Sequence, residues 1–174
     1  MPEPEGGLSL HLRAGGPTQR GHPLSVSIQL RNCGPRRCLL VGVLDGSESC
    51  LRYPHYRPQI VHDGAVVAAP EVSEDPLVGP LRAVDFVRLD PGGAFDPSAG
   101  HGAAAFLPLT TFTNFVPTES GIYVCTLEFS TESLRTEDWL GRFNQDAERD
   151  VVLDLIADVP RVTLRAEPLQ MFVR

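Results

Sequence analysis

The stretch "SGIYVCTLEFS", Ser120 to Ser130, decides how the rest of this chain is read. Apolar residues recur at every second position: Tyr123, Cys125, Leu127 and Phe129. A period of two sends alternate side chains to opposite faces of a pleated strand. These four therefore share an inward face, and Ile122, Val124, Thr126 and Glu128 take the other. A strand buried on one face needs a second layer above it, and the rest of the chain offers one.

The same period appears upstream. In "GLSLHLR", Leu8, Leu10 and Leu12 alternate with Ser9, His11 and Arg13; in "PLSVSIQLRN", Leu24, Val26, Ile28 and Leu30 alternate with polar residues. Both predict half-buried antiparallel strands. "CLLVGVL", Cys38 to Leu44, is continuously apolar, which predicts a central strand buried on both faces, with Gly42 a bulge or a point of close approach. The short "CGPRR" turn predicts a hairpin between the second and third strands. Asp63-Gly64 marks a turn between two strands in "QIVHDGAVVA", and "PEVSEDPLVGP" reads as a loop. A strand is expected from Val84 to Leu89, closed by a type II turn at Pro91-Gly92. "GHGAAAFLPLTTF" predicts a further strand.

Beyond Ser130 the period changes. "TEDWLGRF" predicts a short helical turn capped by Thr136 and interrupted by Gly141. In "NQDAERDVVLDLIADVP", Ala147, Val151, Val152, Leu155, Ile156 and Val159 recur at helical spacing, with Asn144 or Asp146 as cap and Pro160 as stop. The apolar stripe of this helix requires cover, either on the sandwich or at a sheet edge or dimer seam. "RVTLRAEPLQMFVR" returns to strand, broken at Pro168. The whole reads as an all-β antiparallel sandwich of about eight short strands. It forms one domain over residues 1–174, with a helical insertion at about 136–159 before the last strand.

"GIYVC" resembles the Gly-x-Tyr-x-Cys signature of one strand of immunoglobulin-like domains, with Tyr123 as the corner tyrosine and Cys125 as the inward cysteine. The resemblance implies an immunoglobulin-like sandwich in which the tyrosine hydroxyl bonds back to the backbone. The partner position on the second strand is aliphatic, Ile28 or Leu30, so no inter-sheet disulfide is expected. The succession "VSIQLRN", "IVHDGAVV", "LDPGGAF", "GIYVCTLEF" is also similar to the bacterial intracellular proteinase inhibitor family. That likeness implies inhibition of a serine protease by an exposed loop. The chain is further similar to bacterial proteins that carry "LDGSE", "RYPHY" and "DFVRLDPG" in this order, a likeness that implies no activity.

Composition narrows the function classes. With 42% hydrophobic residues the chain can bury a core. A net charge of −7 argues against a general nucleic-acid binder. No stretch approaches the roughly eighteen apolar residues of a membrane span. "MPEPEGGLSL" has acids and prolines where a signal peptide needs a basic start, so a cytoplasmic location is expected. The fifteen basic residues are all arginine, and seven of them meet only four acids in residues 1–58. Arg36, Arg37, Arg52 and Arg57 could then form an anion-binding patch.

The segment "LDGSESCLRYPHYRP", Leu44 to Pro58, concentrates the reactive side chains. Asp45, Glu48, Arg52, Tyr53, His55, Tyr56 and Arg57 are the candidate binding residues, because Tyr and Arg are enriched where partners bind. The same residues suit pinning a long crossover to the sandwich. Ser47 lies near His55 and Asp45 but outside any nucleophile-elbow motif. Cys50 with His55 is the alternative reactive pair, as an enzyme or a metal protein, and Cys33, Cys38, Cys50 and His55 are loosely spaced as metal ligands. Cys33 and Cys38 could also pair as a disulfide across their turn. The reading that the segment favours is a non-catalytic domain without cofactor that binds a protein or peptide partner.

Overall fold

The computed structural model describes residues 7–71, 77–99 and 109–174. Three strands form one sheet: β1 (Leu8–Ala14), β2 (Val26–Asn32) and a short β7 (Ala94–Phe95), in the order β1-β2-β7. Leu10 lies opposite Leu30 and Leu12 opposite Ile28, so both alternating patterns point their leucines to one side. The second sheet holds β4 (His55–His62), β5 (Ala65–Ala68), β8 (Gly121–Ser130), β9 (Thr163–Arg165) and β10 (Leu169–Val173). Its order is β10-β8-β4-β5, with β9 also on β8, and every pairing is antiparallel.

The two sheets face each other across one apolar core. Tyr123, Cys125, Leu127 and Phe129 of β8 are all buried there with Leu8, Leu10, Ile28 and Leu30. The all-β sandwich expected from the alternation is therefore present, and β8 turns inward the four side chains assigned to that face. Tyr123 donates its hydroxyl to the Glu119 carbonyl at 3.1 Å, the backbone bond that its corner position implied. Asp63 and Gly64 both have positive φ, at 48° and 78°, the left-handed pair that a two-residue hairpin requires. Gly92, at φ 77°, closes the Asp90–Gly93 turn through a Gly93 N–H bond to the Asp90 carbonyl.

Several expectations are corrected. β2 does not form a hairpin with the third strand, β3 (Cys38–Val41). β3 pairs with β6 (Phe86–Leu89), and "CGPRR" is a crossover. The Asn32 side chain holds that crossover: it donates to the carbonyls of Arg36 and Leu89 and accepts from the Gly34 N–H. A buried amide that satisfies three backbone groups, one of them 57 positions away, outweighs the short-loop preference for a hairpin. Among the described residues β3 has one strand neighbour, so it is not central. It is buried on both faces for another reason, discussed below. β6 begins at Phe86 rather than Val84, because Ala83–Asp85 form a 3-10 turn. Of the strand expected in "GHGAAAFLPLTTF", residues 100–108 lie outside the described residues, and Thr110–Thr113 are a helical turn, α1.

The insertion folds as a 3-10 turn, Thr136–Trp139, and a helix α2, Arg149–Ala157. Neither expected cap operates. Arg135 and Glu148 occupy the cap positions without a side-chain cap bond, and Glu148 has φ 59°. Ala147 and Val151 are exposed, while Val152, Ile156 and Val159 are buried. They form a second apolar cluster with Trp139, Leu140 and Leu81 over Leu39, Val41 and Val43. That cluster covers the outer face of the β3–β6 pair, and so β3 is buried on both sides. Gly42 is a close approach: a Cβ there would lie 2.7 Å from Val87 Cγ2.

Gly141 is where the insertion seats. A Cβ on it would run into the Gly79 carbonyl and come within 2.8 Å of Pro80 Cα. These are backbone atoms and cannot swing aside. Gly141→Ala is expected to cost about 1–3 kcal/mol and to shift the emission of Trp139, the chain's one tryptophan, to longer wavelength. Unchanged emission and stability would show that the seat can widen freely.

Candidate functional site

Residues 44–58 leave β3 and return as β4, and the backbone folds them tightly back. Gly46 and Cys50 have positive φ, at 73° and 58°, and the Gly46 carbonyl accepts from both Leu51 and Arg52. The Ser47 carbonyl accepts from Cys50 and Tyr56. This coil turns most of the candidate binding residues inward. Arg52 is 1% exposed, Ser47 and Tyr56 are fully buried, and Tyr53 and His55 are half-buried. The tyrosine ring of Tyr56 packs on Phe129 at 5.0 Å, and burial pushes its phenol far above the ordinary pKa.

The acids of the segment are spent on the backbone of neighbouring loops. Asp45 Oδ2 accepts from the Gly79 N–H at 2.7 Å. Glu48 accepts from the N–H groups of Thr110 and Thr111 and from the Thr110 hydroxyl, closing the start of α1. Tyr53 stacks on His55 at 3.7 Å and leans on Trp139 at 5.7 Å, while its N–H donates to the Asp138 carbonyl. The Tyr53–Pro54 bond is cis. These side chains pin the coil, and Arg57 is the exposed member of the set. Arg57 Nη1 meets Glu128 Oε1 at 2.6 Å, and the neighbouring Cys50 and Glu128 raise the guanidinium pKa.

The reactive side chains have other neighbours. The Ser47 hydroxyl is buried, where no substrate reaches it. Cys50 sits against Arg57, and the His55 ring is taken by Tyr53. Among the described residues no three His, Cys, Asp or Glu side chains are placed to hold one metal ion, so Cys33, Cys38, Cys50 and His55 do not form a ligand set. Cys33 bonds to Ser9 Oγ at the end of the first sheet, and Cys38 starts β3 in another; all four cysteines are free thiols. Burial raises the Cys125 thiol to about 11. Of the four arginines of the expected anion patch, Arg52 is buried, Arg37 pairs with Asp90 and Arg57 with Glu128, and Arg36 is exposed.

Burial holds the His55 imidazole at about 4, with the Arg57 charge adding to the shift. In the unfolded chain the same ring takes a proton near pH 6.5. Unfolding therefore takes up a proton between those values, and stability falls as pH drops from about 6.5 towards about 4. Allowing for partial exposure, the loss is about 1–2 kcal/mol. His55→Gln is expected to flatten that limb of the stability profile in urea titrations; an unchanged slope would assign the acid sensitivity to other groups.

The outer face of the five-stranded sheet has a different character. Phe172 lies opposite Ile122, and Val124 opposite both Gln170 and Val61, which in turn faces Val66. Phe172 is 63% exposed, Val66 57% and Ile122 51%, with Val61 and Val124 half-buried between them. This makes a continuous apolar patch across four strands. Towards the other end the rows turn polar, first Gln59 opposite Thr126, then Arg57, Glu128 and Arg165 side by side. Glu128 accepts from Arg57 Nη1 and from Arg165 Nε, and Arg165 first and Arg57 next hold its carboxyl below the usual range. At the apolar end stand Asp63 and Glu119, each within 4 Å of His62 Nε2, at 3.7 and 3.8 Å.

The alternation of β8 places Ile122, Val124 and Thr126 on the outer face, and two of the three are apolar. That was the available signal: an outward strand face normally carries polar residues. The edge of the same sheet is less suited to a partner. β5 has four residues and a register shift beside Ile60, and short, bulged edges resist strand addition. A shallow groove beside it is lined by Val67, Ala68, Glu71, Thr110 and Phe115.

No protein-family model and no curated protein matches this chain. A solution NMR structure of the CARDB domain of a Pyrococcus furiosus protein aligns with it at 10% identity, covering 96% of this chain and 94% of that one, with a TM-score of 0.34. A likeness of that degree carries no argument about function, and the sandwich rests on the strand pairing and core packing described above.

Proposed function

We propose that this chain is a non-catalytic protein-binding domain whose contact surface is the outer face of the five-stranded sheet. The observation that carries the reading is the apolar patch of Ile122, Phe172, Val61, Val124 and Val66, open to solvent among the described residues. Contiguous apolar patches rimmed by polar residues mark interaction sites, because their burial by a partner releases ordered water. The contrast with the opposite side supports it: the helical insertion covers the β3–β6 pair, while among the described residues the outer face of the five-stranded sheet has no such cover. Free thiols at all four cysteines suit action in the reducing cytoplasm.

Affinity capture from a cell extract tests the reading. The natural chain and the double variant Ile122→Lys, Phe172→Lys serve as baits, with circular dichroism showing that both are folded. Proteins retained by the first and lost by the second are the expected result. The same set on both baits overturns it.

A further inference from the structure

We propose that the outer face of the three-stranded sheet binds an extended acidic segment of a partner protein through Arg13 and Arg31. This face points away from the apolar patch, because the two sheets face each other across the core. Residues 1–58 carry seven arginines against four acids. Their surplus charge does not gather in the 44–58 coil: Arg52 is buried, and Arg37 and Arg57 have carboxylate partners. Arg13 and Arg31 are exposed and share one sheet face.

Leu8, Leu10, Ile28 and Leu30 point into the core, so the residues between them point out. The register sets Ser9 opposite Arg31, His11 opposite Gln29 and Arg13 opposite Ser27. Hydrogen bonds hold several of these side chains in place. Arg13 Nη2 donates to Gln29 Oε1 at 2.8 Å, which lays the guanidinium across to β2. His11 Nε2 lies 3.0 Å from Ser9 Oγ, and Ser9 Oγ lies 3.3 Å from Cys33 Sγ.

No acid stands in these rows, and neither arginine has a carboxylate partner among the described residues. At the far side of the sheet Asp90 pairs with Arg37, and Asp96 accepts from the N–H and hydroxyl of Ser98. Glu3 and Glu5 lie outside the described residues. On the five-stranded sheet, by contrast, Arg57 and Arg165 enclose Glu128. A chain of net charge −7 thus carries one sheet face whose described charges have a single, positive sign.

That sign selects the partner, because unpaired guanidinium forks match carboxylates in charge and in bidentate geometry. Alternate residues of an extended chain are about 6.8 Å apart, the same step as the rows of this face. Arg13 reaches Gln29, two residues from Arg31 on β2, so the two cationic side chains stand about one such step apart. A segment with an acid at every second residue sets a carboxylate on each. The overall negative charge opposes a long polyanion such as nucleic acid. Exposed ion pairs are individually weak, so the complex is weak and sensitive to salt.

Titration of the isotope-labelled full chain, followed by amide NMR shifts, tests this. The probe is a synthetic peptide of about nine residues that alternates Glu and Thr. Saturable shifts in Leu8–Ala14 and Val26–Asn32 are the expected result, with affinity falling about tenfold between about 50 and 500 mM salt. Arg13→Gln with Arg31→Gln, which changes two exposed side chains, is expected to weaken binding by about tenfold. Ile122→Lys with Phe172→Lys is expected to leave it unchanged. A peptide with Gln in place of Glu is expected not to bind. Absence of saturable shifts overturns the proposal, as do shifts centred on Arg57 and Arg165 or an affinity that the glutamine pair does not change. Tighter binding of an oligothymidylate of equal charge to the same strands also overturns it, in favour of a phosphate backbone.

Discussion

Arg52→Ala is expected to lower the unfolding free energy by about 3–5 kcal/mol, whereas Arg52→Met should leave it within about 1 kcal/mol of the natural chain or raise it. Arg52 is among the largest fully buried side chains. Nη1 donates to the Gly79 carbonyl at 3.3 Å, while Nε and Nη2 have no hydrogen-bond partner among the described residues. Desolvation lowers the guanidinium pKa, and the attraction of Asp45 and Asp85 only partly offsets it. Both carboxylates are engaged elsewhere, Asp45 with the Gly79 N–H and Asp85 with Arg82. The charge itself therefore contributes little net stability, and the long stem contributes the packing. Alanine removes the stem and leaves a cavity beneath the 44–58 coil; methionine refills most of it without a charge to desolvate. Denaturant titrations followed by Trp139 emission measure both. An alanine variant within about 1 kcal/mol of the natural chain would show that the coil is not pinned through this residue. A methionine variant as weak as alanine would show that the charge is needed.

The second large effect is expected at Trp139. It is fully buried at the centre of the cluster under the insertion, with the Tyr53 ring beside it and the Arg161 guanidinium 4.9 Å over its own ring. Trp139→Ala removes the largest side chain there and is expected to cost about 3–5 kcal/mol. The loss should be local. Trp139 belongs to the cluster of Leu39, Val41, Leu81, Val152 and Ile156, and β2 and β8 pack in the other cluster. Native-state hydrogen exchange is expected to show the α2 amides losing protection while those of β2 and β8 keep theirs. Equal losses in both would mean that the insertion and the sandwich unfold as one unit.

Alternation was enough to assign faces. β8, β1 and β2 turn inward the residues that a period of two selects, because that pattern depends only on the pleat of the strand itself. The Asp63-Gly64 and Pro91-Gly92 turns were legible for the same reason, since their φ requirements are met within two residues. The crossover after β2 was not. Its geometry depends on Asn32 reaching the Leu89 carbonyl, 57 positions away in sequence. The candidate segment was legible in the sequence, and the depth of its side chains was not. Arg and Tyr are ordinarily surface or interface types, and only the return of the coil onto Gly79 and Phe129 buries Arg52 and Tyr56.

What the sequence by itself determined is therefore the local grammar: all-β class, strand faces, tight turns and the presence of a helical insertion. These follow from dihedral preferences and from the spacing of apolar side chains, both properties of neighbours in the chain. Which strands pair, where the insertion lies and which outer face remains open were decided by the tertiary structure. Each depends on contacts between distant segments. Trp139 with Leu140, Val152, Ile156 and Val159 covers one outer face, beside β3, and leaves Ile122 and Phe172 on the other exposed to solvent. Burial is a property of the assembled layers.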